Sequence, residues 1–149
     1  MKGYWNRPEE TADALRGGWL HTGDLGTLDG DGYLALVDRK KDMIVSGGEN
    51  VYSAEVENAL AGHAGVAEVA VIAVPDEALG EHVHAVIVPA TDAKPDEDAL
   101  RDHCRRTIAG YKVPRSFEFV DALPRTAAGK VRKEILREPH WRDRDRRVS

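Results

Sequence analysis

Apolar and polar positions change their spacing along the chain, and each change marks an element. After Ser53, Val56, Ala59 and Leu60 fall on one helical face, so a helix is predicted from Ser53 to about Ala61. Ser53 can cap it, Glu55 and Glu57 suit its positive end, and Gly62 stops it. Val66 to Val74 is almost continuously apolar and rich in β-branched residues, which predicts a central strand buried on both faces and ending at Pro75. Val83 to Val88 is its expected neighbour. A second helix opens at Pro95-Asp96, repeats Leu100, Cys104 and Ile108 at fourfold spacing, and stops at Gly110. A third strand over Phe117 to Val120 and a terminal helix over Val131 to Arg137 complete the pattern. Preceded by a hairpin at Gly47-Gly48, this order implies an α+β fold, a small mixed sheet with packed helices.

The first forty residues are less periodic. Pro8, Glu9 and Glu10 suit the first turn of a short helix through about Leu15, stopped by Gly17-Gly18. A strand near Trp19 to His21 is expected, then a hairpin whose returning strand is Tyr33 to Val37. Its tip, Asp29-Gly30-Asp31-Gly32, is no calcium loop, because an EF-hand begun at Asp29 would end on Lys40, where a bidentate glutamate is needed. The charged run Asp38-Arg39-Lys40-Lys41-Asp42 then leads into Ser46-Gly47-Gly48-Glu49-Asn50, a polar joint between two folded pieces. The domain boundary is expected at Lys40 to Lys41, which divides the chain into residues 1–40, a compact domain over 41–138, and a charged, frayed tail over 139–149.

Composition narrows the function classes. The 149 residues can bury a genuine core, and a charged share of 32% fits a small domain with a large surface. A net charge of −5 argues against nucleic acid, and aspartates interleave the basic tail Arg142 to Arg147. One cysteine, Cys104, excludes an internal disulfide and a cysteine-based zinc cluster. No apolar run approaches the roughly 18 residues of a membrane span, and a cytoplasmic location is expected.

The ordered motifs are the specific signal. His21-Thr22-Gly23-Asp24, Asp38-Arg39-Lys40-Lys41-Asp42, Ser46-Gly47-Gly48-Glu49-Asn50-Val51-Tyr52 and Pro124-Arg125-Thr126-Ala127-Ala128-Gly129-Lys130 occur in this sequence in turn. Together they resemble the C-terminal part of adenylate-forming enzymes, the superfamily of acyl-CoA synthetases, nonribosomal adenylation domains and firefly luciferase. The resemblance implies an ATP-dependent acid–CoA ligase that makes an acyl-adenylate and then an acyl-CoA thioester, using ATP with Mg and coenzyme A. It implies that residues 1–40 trail from a large N-terminal adenylation domain and that residues 41–138 form the mobile lid, inactive alone.

The same resemblance assigns roles. Lys130 matches the adenylation lysine, Asp24 and Arg39 the ribose-binding pair, Lys41 the hinge, and Gly47 and Gly48 the channel for the pantetheine arm, where a β-carbon would narrow the passage. Tyr111-Lys112-Val113-Pro114 resembles a segment near the thiol substrate. Read without the resemblance, Lys130 is a surface lysine on a turn, Asp24 a turn residue, and Arg39 a partner for Asp38 or Asp42.

Other groupings are weaker. His82 and His84 share a strand face but show no third metal ligand, so no metal centre is expected. His103 and Cys104 are helix neighbours pointing about 100° apart. There is no Walker A loop, since Pro124 stands where its first glycine belongs, and no Gly-x-Ser-x-Gly elbow. The expected partners are a carboxylic acid, ATP, CoA and the large domain. Two alternatives remain: a free-standing, non-catalytic module of the same fold that docks onto a separate subunit or dimerises through exposed residues 1–40, and an adenylation domain that serves a carrier protein.

Overall fold

A computed structural model describes residues 1–91 and 95–142. The chain divides into two compact units, Met1–Lys40 and Lys41–Ser149. In the first, helix α1 (Pro8–Ala14) has Pro8 in its opening turn and runs into a 3₁₀ turn at Arg16–Gly18, where Gly17 and Gly18 take positive φ. No strand forms over Trp19 to His21, contrary to expectation. Those residues are extended and exposed, and strand β1 (Asp24–Leu28) starts only after Gly23. It pairs antiparallel with β2 (Leu34–Arg39), and at the tip Asp29 Oδ1 accepts from the amides of Asp31 and Tyr33. Trp5, Trp19, Leu28, Tyr33, Leu34 and Leu36 all remain exposed in this unit.

The second unit is built around a five-stranded sheet. Strands β3 (Ile44–Ser46) and β4 (Glu49–Val51) form a hairpin on Gly47-Gly48. Helix α2 (Ser53–Ala61) follows, then β5 (Val66–Asp76), β6 (Gly80–Pro89), α3 (Glu97–Arg105), β7 (Ser116–Phe119) and α4 (Lys133–Trp141). β6 is the centre: β5 pairs with it antiparallel, β7 parallel, and β3 joins at Ser46–Gly80. The expectation that Val66 to Val74 is central is therefore half right. Ala70 to Ala73 are fully buried on both faces, yet β5 is an edge strand among the described residues.

Side chains close that edge. Glu57 Oε1 accepts from the Val71 amide at 2.8 Å, and the Trp141 indole donates to the Ala73 carbonyl at 3.0 Å. An exposed row of backbone groups is thus covered by α2 and α4. The same contact explains why α4 runs past Arg137 and through Pro139, beyond the expected end of the domain: its last residue is an anchor. Residues 143–149, most of the predicted tail, lie outside the described residues.

Two apolar layers flank the sheet. Val56 and Leu60 of α2 and Leu100 and Cys104 of α3 pack on Val71, Ala73, Val83, Ala85 and Ile87, while Leu123 and Leu136 meet Ala70, Ile72 and Val86 on the other face. Asp96 caps α3 through the Ala99 amide, but the helix ends at Arg105, short of Gly110. Ser53 is not a cap. It is the first helical residue, buried, and its Oγ accepts from Lys133 Nζ at 2.7 Å, which joins α2 to α4. Leu60→Ala should lower unfolding free energy by about 3 kcal/mol, through lost transfer energy plus a cavity, as read by chemical denaturation.

Candidate functional site

In the first unit, strand register brings Asp24 and Arg39 together. They are cross-strand partners, and Arg39 Nε lies 3.4 Å from Asp24 Oδ1. Asp38 Oδ1 accepts from the Arg39 amide at 2.7 Å. Gly23, at φ +77°, accepts from the Lys40 amide and closes the end of the hairpin. Both charged side chains keep solvent contact, so the ion pair adds little stability. A carboxylate and a guanidinium side by side can receive and donate hydrogen bonds to adjacent hydroxyls.

A 3₁₀ turn at Lys40–Asp42 begins on the last residue of the first unit, precedes β3 and leaves Lys41 exposed. Beside it, Arg137 of α4 bonds Asp42 Oδ1 at 2.8 Å, each side chain only 12% exposed, and reaches the Lys41 carbonyl at 3.4 Å. This pin was not visible in the sequence, since 95 residues separate the partners. Its burial makes it costly to break from one side.

Lys130 sits on a closed loop. Thr126 and Lys130 exchange a backbone bond of 2.8 Å, Arg125 pairs across the loop with Val131, and the Arg125 guanidinium grips the Gly129 carbonyl and Glu68, both at 2.6 Å. Gly129 turns at φ +81°, which favours glycine. The backbone is fastened while the Lys130 side chain is exposed, with no partner among the described residues. A held loop with a free ammonium can deliver charge to a ligand.

Gly47 and Gly48 take φ +59° and +88°, the pair of positive values that a two-residue hairpin requires. A Cβ on Gly48 would meet nothing within 4 Å, and one on Gly47 only Leu79 Cδ2 at 3.2 Å. Conformation, rather than crowding inside this unit, demands glycine here. Gly47 borders a cleft of about 620 Å³ whose wall includes Glu49, Arg101, Arg105, Tyr111 and Arg115. Glu97 and Asp98 hold Arg101, and Asp102 holds Arg105, whereas Arg115 forms no ion pair among the described residues. The i, i+4 arginines of α3 were a legible signal of a basic face, and sequence reasoning passed over them.

Lys112 lies 2.7 Å from both oxygens of Glu55, whose hydrogen bonds raise its pKa and keep it charged. His103 Nε2 is bonded to the Ala59 carbonyl and Cys104 is buried, which pushes its thiol up, so the two make no thiol–imidazole pair. His82 Nε2 and His84 Nδ1 both meet Ser116 Oγ, at 2.8 and 2.7 Å. The His82–His84 pair does not itself gain a third ligand: Glu118 of β7 and His140 of α4 gather with His84, and His82 is not in that group.

Residues 55–130 match the family model described as the AMP-binding enzyme C-terminal domain. A feruloyl-CoA synthase of an Amycolatopsis species is 58% identical over 137 residues, 92% of this chain and 28% of that protein. A fatty acid–acyl-carrier-protein ligase of Streptomyces coeruleorubidus is 46% identical over 149 residues, 100% of this chain and 29% of its own length. The structure of o-succinylbenzoate CoA synthetase from Bacillus subtilis, in complex with its acyl-adenylate intermediate, superposes with a TM-score of 0.84 at 42% identity, covering 91% of this chain and 28% of that one. The chain therefore spans little more than a quarter of these relatives.

Arg137→Ala leaves Asp42 buried without its cation and should cost about 3 kcal/mol of stability in urea unfolding. Arg137→Lys should recover only part of that loss, since both bonds come from Nη1 and the shorter, flexible lysine stem does not hold its ammonium at that position as the planar guanidinium does.

Proposed function

Because the chain belongs to the AMP-binding enzyme C-terminal domain family, we propose that it is the C-terminal portion of an ATP-dependent acid–CoA ligase. In the first half-reaction a carboxylate attacks the α-phosphate of ATP, forming an acyl-adenylate and releasing pyrophosphate. In the second a thiol attacks the acyl carbon, forming the thioester and releasing AMP.

The single observation that carries this reading is Lys130, an ammonium without a partner among the described residues, on a fastened loop within a family-typical motif. Adenylation brings two anions together, and a fixed cation between them stabilises the charge of the transition state without exchanging a proton. Asp24 and Arg39 bind the ribose hydroxyls. Lys41 is the hinge for reorientation between the half-reactions, and Gly47 and Gly48 line the pantetheine path. The acid pocket and the phosphate-binding loop belong to a large N-terminal domain, of which residues 1–40 are the last segment. The exposed Trp5, Trp19, Leu34 and Leu36 are apolar surface that such a domain would cover.

Coenzyme A is preferred to a carrier protein as the thiol, because the cleft beside Gly47 carries Arg101, Arg105 and Arg115, suited to the phosphates of a nucleotide. The acyl-carrier-protein ligase among the relatives keeps the second reading in view. Mg²⁺ is expected with ATP, but the one group of three metal-type ligands among the described residues has two imidazoles, a donor set unsuited to that ion, and no residue here is assigned to it.

Adding the large domain of a relative in trans should restore pyrophosphate release from an acid and ATP. Lys130→Ala should then lower that release on the order of 10²–10³-fold while leaving thioester formation from a supplied acyl-adenylate intact. No rescue by folded chain, or rescue indifferent to Lys130, would contradict the assignment. Arg115→Glu should raise KM for CoA about tenfold and leave KM for pantetheine, which lacks the nucleotide, unchanged. An enzyme indifferent to CoA that accepts a carrier-bound thiol would favour the second reading.

A further inference from the structure

The sheet holds a second cluster of chemistry that the ligase reaction does not use. His84 of β6, Glu118 of β7 and His140 of α4 each offer one ligand atom, all within 4.8 Å of one another. His84 is 6% exposed, and its Nε2 has no hydrogen-bond partner. Glu118 Oε2 lies 3.7 Å from it, beyond hydrogen-bond reach, and the His140 ring stands with its centroid 5.2 Å away. A buried imidazole nitrogen left bare is unusual in a folded protein.

Behind it, Ser116 bridges two imidazoles. His84 Nδ1 and His82 Nε2 share Ser116 Oγ, and His82 Nδ1 lies 3.3 Å from Asp76 Oδ2 without a hydrogen bond. In the tautomer with its proton on Nδ1, His84 donates to the serine oxygen and its Nε2 is a lone pair beside Glu118 and His140. Such outer hydrogen bonds orient and fix metal-binding histidines.

We propose that His84 Nε2, the Glu118 carboxylate and a His140 ring nitrogen bind a divalent transition-metal cation of the zinc type. Two imidazoles and a carboxylate match the donor preference of Zn²⁺ and leave one position for water. Tetrahedral bonds of about 2.0 Å place ligand atoms about 3.3 Å apart, so the 3.7 Å between His84 and Glu118 needs only a small inward shift. Glu118, half exposed, and His140, at the end of a helix, can supply it against the fixed His84. The ion would clasp α4 to the parallel pair β6 and β7. It is a site distinct from Lys130 and from the cleft beside Gly47, so it stands or falls apart from the ligase reading.

The test is calorimetric titration of the chelator-treated full chain with ZnCl₂, with Co²⁺ as an optical probe. The result expected is one equivalent bound, with intense visible Co²⁺ bands of tetrahedral coordination. Binding should disappear in His140→Ala and in Glu118→Ala, both shown to be folded by circular dichroism. Ser116→Ala touches no ligand position and should weaken binding about 10–100-fold through the lost hydrogen bond that orients the His84 ring. His63→Ala should change nothing, although His63 and His103 form the other close histidine pair. No binding by the full chain, or binding that survives in His140→Ala and is lost in His63→Ala, would overturn the proposal.

Discussion

Everything in the second unit depends on the pairing of β6. It holds β5 antiparallel on one side and β7 parallel on the other, and takes the β3 hairpin at its Gly80 end. The parallel pair forces the chain to cross over through α3, and the burial of Leu100 and Cys104 fixes that helix against the sheet. Hydrophobic burial provides the stability, while the polar contacts decide where the ends of the elements point. Glu57 and Trp141 close the β5 edge, Lys133 joins α2 to α4, and Arg137 pins α4 to Asp42.

The proposed working residues lie outside that core, on short pieces whose backbone is tightly held. Lys130 stands on a loop clamped by Arg125, and Gly47 and Gly48 form a turn whose dihedral angles permit little else. Lys41 sits in a 3₁₀ turn next to the buried Asp42–Arg137 pair. A hinge residue flanked by a rigid contact localises any rotation to a few dihedral angles. The held backbone and free side chain at Lys130 are what delivery of a charge requires.

Much of this was legible in the sequence because local rules and packing agree. The helix over Ser53 to Ala61, the buried stretch within β5, the glycine hairpin and the α+β class follow from periodicity and turn chemistry. What failed were features set by distant partners. Ser53 reads as a cap but is claimed by Lys133, 80 residues away, and Trp141 extends α4 because the β5 edge needs a donor. β5 reads as central because both faces are apolar, although side chains rather than a strand cover its outer edge. For the candidate sites, motif order located Asp24, Arg39 and Lys130, and register then placed Asp24 against Arg39. The histidine cluster was half visible: alternation placed His82 and His84, but Glu118 and His140 come from other elements.

In the function we propose, one lid serves two half-reactions by turning at Lys41. Proline at that position fixes φ near −65° and so restricts the rotation. The decisive measurement is the rate of each half-reaction, assayed separately, for Lys41→Pro in the chain joined to a relative's large domain. One half-reaction should fall by at least an order of magnitude while the other stays near the parent rate. Equal loss of both, or no change in either, would contradict it.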